Sequence, residues 1–234
     1  MPTRLTSLAS VMLMATPAFG AAGQASLPGA PHIDHVILAV NDLDRGIAAF
    51  TRLTGVTPVR GGSHPGRGTA NALASLGDGR YLELLGPASA VRDSVPPDLA
   101  GLDSLTPYGW AIGTNDLPAL IARVRKAGFT ITDPGPGSRR RPDGSLLSWT
   151  TAAVSGPDLV LAPFFIQWGE GTAHPSATSP SGCRLVDLTL RAPAAEALRN
   201  LFRAVGVGVL VETGAGRSMT LALDCPRGRV TFTM

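Results

Sequence analysis

One short pattern recurs along the chain and constrains the fold more than any other feature. His32-Ile-Asp-His35-Val-Ile-Leu-Ala-Val40 is an apolar run interrupted at Asp34-His35, and Asn41-Asp42-Leu43-Asp44 follows it. The run predicts a strand. The short oxygen side chains after it accept the free N–H groups of a first helical turn, so they predict a turn and a helix cap. A helix over 45–53 then ends at Gly55. About 74 residues later, Tyr108-Gly-Trp-Ala-Ile-Gly-Thr114 leads into Asn115-Asp116-Leu117. The helix predicted over 117–126 carries Leu117, Leu120, Ile121 and Val124 at helical spacing, and Gly128 stops it. A third copy opens at Arg184–Leu190 and passes into a helix over 194–204, with Leu198, Leu201 and Phe202 on one face.

Strands follow each helix. In the first copy they are expected at 57–62, 69–76 and 81–85, with Gly77-Asp78-Gly79 as a hairpin turn because glycine tolerates positive φ. The order is βαβββ. The second copy has candidates at 129–132, 146–154 and 159–167, with a Pro/Gly/Arg-rich loop over 133–145. The third has 207–212, 219–223 and 229–232. Repeats this long are not solenoid units; they suit duplication of a half-domain whose open sheet needs a covering partner. The class expected is α+β, with units at 32–87 and 106–168 paired into one barrel. A linker over 169–182 leads to a third βαβββ-like unit at 183–234. That unit packs alongside through its own sheet or pairs across a homodimer interface. Left unpaired, it would expose an apolar sheet face.

Composition narrows the partners. With 44% apolar and 16% charged residues the chain is globular rather than disordered. The net charge is +3, aromatics make up 5%, and no basic run exceeds Arg139-Arg140-Arg141. Nucleic-acid binding needs a broader basic stripe or interleaved aromatics, and the sequence has neither. The Arg triplet reads as a solvated loop or as an anion-binding mouth.

The N-terminus reads as an address. Arg4 precedes the apolar run Leu5–Met14, which is shorter than the ~20 residues that span a bilayer. Ala18-Phe19-Gly20 supplies small residues at the positions a signal peptidase reads. Residues 1–20 are expected to be a signal peptide and 21–31 a flexible lead-in, giving a periplasmic or secreted protein without a stable membrane anchor. Cys183 and Cys225 form either one bridge or two buried thiols.

Strand alternation places candidate chemistry. Val36, Leu38 and Val40 pack under the first helix, leaving His35, Ile37 and Ala39 on the opposite face. Leu82 and Leu84 likewise leave Tyr81, Glu83 and Leu85 on that face. One imidazole and one carboxylate thus share the concave side of a sheet, and both types serve as metal ligands or in acid–base work. A hydrogen-bonded buried pair is the alternative use of the same two residues. Asn71 lies mid-strand in phase with Leu73 and Ser75 and is compatible with the same cup.

These residues carry a resemblance. Ile33-Asp34-His35-Val36, His64-Pro-Gly-Arg67-Gly-Thr-Ala-Asn71, Gly77-Asp-Gly-Arg-Tyr81-Leu-Glu83-Leu-Leu85, Pro163-Phe-Phe-Ile-Gln167-Trp168 and His174-Pro-Ser176 are similar to the bacterial glyoxalase-like domain family. The paired βαβββ pattern with His on the first strand and Glu on the fourth resembles the vicinal oxygen chelate superfamily to which that family belongs, and which includes glyoxalase I, extradiol dioxygenases, methylmalonyl-CoA epimerase and bleomycin-resistance proteins. The resemblance covers about residues 32–178 and implies a glyoxalase-like barrel. It also implies a cup in which each half gives one metal ligand from its first strand and one from its fourth. A divalent Fe, Mn, Ni, Co or Zn ion then acts as Lewis acid on a substrate with two neighbouring oxygens. The reaction would be that of a lyase, isomerase or dioxygenase. His35 and Glu83 are the metal or acid–base pair, and Asn71, Arg67, His64, Gln167 and Trp110 are candidate substrate contacts. The ligand set is incomplete: Gly109 stands where His35 does, Gln167 near the place of Glu83, and the third unit offers Leu188 and Phe232. A metal-free cup that sequesters a small molecule, as bleomycin-resistance proteins do, is the alternative.

Overall fold

The computed structural model describes residues 30–64, 66–88 and 96–234. The expected signal peptide and residues 21–29 of the lead-in lie outside the described residues. The first unit consists of β1 (His32–Ala39), α1 (Leu43–Thr54), β2 (Val59–His64), β3 (Thr69–Gly77) and β4 (Arg80–Pro87). The second consists of β5 (Thr106–Gly113), α2 (Leu117–Lys126), β6 (Thr130–Ile131), β7 (Gly135–Arg140), β8 (Leu146–Ser155) and β9 (Phe164–Trp168). A short helix α3 (Pro175–Thr178) precedes the third: β10 (Arg184–Ala192), α4 (Ala195–Val205), β11 (Leu210–Thr213), β12 (Ser218–Cys225) and β13 (Gly228–Thr233).

Both repeated caps form. Asp42 accepts from Arg45 N and Asp116 from Ala119 N, each satisfying a free donor of a first turn. Gly55 ends α1 in the left-handed region at φ 81°.

The first two units share a nine-stranded sheet ordered β2-β3-β4-β1-β5-β9-β8-β6, with β7 on the same edge of β8 as β6. It curls into a nearly closed barrel. The units meet along their first strands, β1 and β5, which pair antiparallel, while β1 pairs parallel with β4 and β5 with β9. The mixed α+β class and the repeated unit stand as the sequence predicts.

Two expectations about the second unit change. Part of the 133–145 loop is strand β7; it is an edge strand, where Pro136 costs no ladder bond, and Gly137 leaves room for the Trp149 indole. The last strand starts only at Phe164, because Leu159–Ala162 turns before Pro163.

The third unit forms its own four-stranded sheet, β11-β10-β12-β13. Leu188, Leu190, Leu221 and Phe232 are buried on one face together with Leu198, Leu201 and Phe202 of α4. That layer packs on the helix side of the first two units: Phe232 stacks on Phe50 of α1 at 6.3 Å, and Phe202 meets Trp110 of β5 edge-on at 5.5 Å. Each such side chain contributes about 1.5–3 kcal/mol by burial. The opposite face carries Asp187, Thr189, Arg191, Thr220, Thr231 and Thr233. The third unit thus packs alongside through its own sheet, one of the two arrangements expected, with its apolar face covered and its uncovered side polar by strict alternation. Cys183 and Cys225 form a disulfide between the start of β10 and the end of β12.

Candidate functional site

The cup is built from the faces of β1, β3, β4, β5 and β9 that turn away from the helices. His35 and Glu83 meet there. Their closest atoms, Nε2 and Oε2, are 3.8 Å apart, and both residues are buried. The separation is too long for a hydrogen bond. It leaves both atoms able to touch one further atom placed between them. Asn71 donates from Nδ2 to Glu83 Oε1 at 2.8 Å, which fixes its amide orientation. His64 Nε2 is 3.6 Å from the same oxygen, and its Nδ1 lies 2.9 Å from Thr69 Oγ1. Burial pulls the His64 pKa down; Glu83 opposes this, and Arg139, Arg67 and His35 add to it.

Behind His35 stands Asp34, which alternation assigns to the other face. The β1–β5 register shifts between Ile33 and His35, so Asp34 is the extra residue of a β-bulge. The bulge turns its carboxylate to the cup side. There it accepts from His35 Nδ1 at 2.6 Å, His174 Nε2 at 3.0 Å and Trp168 Nε1 at 3.0 Å. Gly113 makes the space, since a Cβ there would lie 2.9 Å from Asp34 Oδ2. Burial alone would raise the Asp34 pKa. Hydrogen bonds from His174 and His35, with the charges of both rings, outweigh it and hold the carboxyl well below its usual range. With Nδ1–H donated to Asp34, His35 turns its Nε2 toward Glu83.

His174 serves two ends. Its Nδ1 accepts from Ser176 N and caps α3, so Nε2 carries the proton given to Asp34. The linker thereby reaches the cup wall. Tyr81 stacks on His35 at 4.5 Å and meets His174 edge-on at 5.6 Å. Burial first, then Asp34 and Glu83, pushes its hydroxyl pKa well up.

Arg139 enters from β7. It is 5% exposed, and its Nη1 donates to Gly61 O. Burial draws its pKa down while the nearby Glu83 charge counters. Of the Arg triplet, only this residue is fully buried; Arg140 is exposed and Arg141 half-buried, and both bond to loop carbonyls. The sequence signal for it was the pair Gly61-Gly62 opposite, where a Cβ at Gly61 would lie 3.1 Å from Nη1.

Other predicted residues fall elsewhere. Trp110 is on the helix side, bonded to Leu161 O and packed on Phe202. Gln167 Oε1 accepts from Leu117 N at 2.8 Å and caps α2, so it too faces away from the cup. The register shows why. Ile37 pairs with Glu83 in the first unit, and its counterpart Ala111 pairs with Phe164. Phe164, not Gln167, holds the Glu83 position, with its ring 5.3 Å from His35. Arg67 is exposed at the rim.

The second half of the cup thus offers Gly109 and Phe164, neither with a donor atom. Among the described residues no group of three or more His, Cys, Asp or Glu side chains is arranged to hold a metal. His35, Glu83 and the nearby His64 do not make the four-ligand set that the superfamily pattern requires.

An apolar cavity of about 300 Å³ lies apart from this cluster, lined by Tyr108, Gly109, Val160, Met219 and Met234 among others. The polar cluster, not this cavity, holds the groups with chemistry.

A family model described as a glyoxalase-like domain matches residues 33–206. No curated protein matches the chain. Among solved structures, a hypothetical protein from Staphylococcus aureus is similar at 16% identity, covering 87% of this chain and 85% of that one with a TM-score of 0.60. A Streptomyces coelicolor methylmalonyl-CoA epimerase in complex with 2-nitronate-propionyl-CoA is 24% identical, covering 58% of this chain and 95% of its own, with a TM-score of 0.42. The Mycobacterium tuberculosis methylmalonyl-CoA epimerase is 22% identical, with coverages of 58% and 85% and a TM-score of 0.41. The first of these likenesses bears on the fold alone.

Proposed function

Because the chain belongs to the glyoxalase-like domain family, within the vicinal oxygen chelate superfamily, we propose that it is a small-molecule enzyme of the lyase or isomerase kind. It moves a proton at a carbon beside a carbonyl, on a substrate with neighbouring oxygens. One observation carries this reading: His35 Nε2 and Glu83 Oε2 face each other at 3.8 Å while Asp34 holds the far side of the imidazole at 2.6 Å. In the proposed step one of the two takes the proton. The C–H electron pair moves into the adjacent carbonyl as an enolate, and the group that took the proton returns it, or a solvent deuteron exchanged for it, to the carbon. Such pairs typically give about 10²–10⁴-fold acceleration. Phe164 packs edge-on against the His35 ring at 5.3 Å, and Asn71 fixes the Glu83 carboxylate. No step is routed through a metal, since the donors at Gly109 and Phe164 are missing.

Gly109 favours a second reading, a metal-free cup that binds and sequesters a small molecule. Proton exchange in D₂O separates the two. Wild-type protein that washes deuterium into a 2-oxo or 2-hydroxy acid is an enzyme. Protein that binds such compounds without exchange is a binding protein.

We also place the protein in the periplasm or outside the cell. The N-terminal run supports this, and the Cys183–Cys225 bridge suits an oxidising compartment.

A further inference from the structure

We infer that the ligand of the cup is a small carboxylic acid, held by its carboxylate on the Arg139 guanidinium; this rests on the proton-transfer reading of the same site. Arg139 is a cation buried with no ion pair among the described residues. Its one hydrogen bond to those residues, Nη1 to Gly61 O, uses a single N–H of five. A guanidinium in that condition is costly, because a buried charge is tolerated when it is paired and hydrogen-bonded.

The chain goes to some length to bring it there. Gly61 and Gly62 give up their side chains opposite it, and Gly62 adopts φ 126°, where glycine alone is at ease. Glu83 lies near enough for its charge to support that of Arg139, yet the two form no ion pair. The carboxylate is instead bonded to Asn71. Asn71 Oδ1 is itself buried without a hydrogen-bond partner among the described residues, on the Gly61 and Arg139 side. Among the described residues, then, Asn71 Oδ1 lacks a hydrogen-bond partner and the Arg139 guanidinium lacks a counter-ion.

A planar fork with spare parallel N–H groups matches the two oxygens of a carboxylate. A carboxylate seated on it leaves the rest of a small acid facing Glu83 and His35, with the exchangeable C–H on C3 of a 2-oxo acid or on C2 of a 2-hydroxy acid. The substrate class is then 2-oxo or 2-hydroxy monocarboxylic acids, which also carry neighbouring oxygens.

The test is titration of the wild-type chain, followed by saturation-transfer NMR and calorimetry. The probes are pyruvate, 2-oxobutanoate and mandelate, their methyl esters, and inorganic phosphate. The acids should bind, and the esters should bind at least about tenfold more weakly. Arg139→Gln should abolish the preference, and Arg139→Lys, with charge but no fork, should restore it in part. Equal binding of acids and esters, binding of phosphate with none of the acids, or no binding of any acid overturns the inference. Because the ester comparison uses wild-type protein, misfolding of a variant does not decide the matter. Glu83→Gln distinguishes the underlying reading. If it binds the acids and still exchanges their protons, the proton-transfer reading falls and the carboxylate assignment stands. If the acids do not bind but hydroxyacetone is exchanged, the reverse holds.

Discussion

His35 Nδ1 lies 2.6 Å from Oδ1 of Asp34, its own neighbour in the chain. Consecutive strand residues normally point to opposite faces, so this contact exists only through the bulge at Asp34. It fixes which nitrogen of His35 faces Glu83, and His174 and Trp168 anchor the carboxylate from the other side.

Asp34→Asn should lower stability by about 3 kcal/mol, as removal of one partner from a buried charged network does. Its pH dependence follows from sign. The Asp34 pKa is lower in the folded chain than in the unfolded one, so on acidification the unfolded state takes up the proton first. The contribution is complete above the unfolded value of about 4 and is lost as pH falls toward the lowered folded value. Urea midpoints of wild type and variant should therefore converge below pH ~4 and stay apart at pH 7. A constant gap across that range would contradict the assignment.

In ¹⁵N NMR of the neutral rings, His35 should be protonated on Nδ1 and His174 on Nε2. Asp34→Asn should mix the His35 tautomers while leaving His174 held by its Ser176 cap.

Gly113→Ala should disturb the same cluster from the other strand. Its new Cβ would meet Asp34 Oδ2 at 2.9 Å and Asp34 Cβ at 3.1 Å. Overpacking of this kind costs about 1–3 kcal/mol. Thermal unfolding should show that loss, and proton exchange should fall together with it.

Reduction of Cys183–Cys225 should destabilise the chain by up to about 4 kcal/mol, from loop closure over a sequence separation of 42. Guanidinium titration with and without reductant measures it.

Much of this architecture was legible because it rests on local rules. The recurring Asn-Asp-Leu marked both caps, and alternation put His35, Glu83 and Asn71 on one face. What escaped depended on interruptions of those rules. Asp34 reads as a helix-side residue until the bulge reverses it, and no residue type announces that bulge. Arg139 sits in a stretch whose Pro136, Gly135 and Gly137 read as loop; they suit an edge strand that only the partner β8 makes visible. Trp110 was readable: it follows Gly109, the counterpart of His35, and so belongs to the opposite face. Gln167 was misplaced because the strand before it begins later than its apolar run, which makes Phe164 the counterpart of Glu83.

Deuterium wash-in at the carbon beside the carbonyl of bound 2-oxo and 2-hydroxy acids tests the central claim most directly. It should be compared in wild type, Glu83→Gln and His35→Ala, before and after dialysis against a chelator. The account predicts exchange by the wild type that survives the chelator, and a fall of about 10²–10⁴-fold in each variant. Exchange that disappears with the chelator and returns with added Fe, Mn, Ni, Co or Zn would contradict it, as would full exchange by Glu83→Gln.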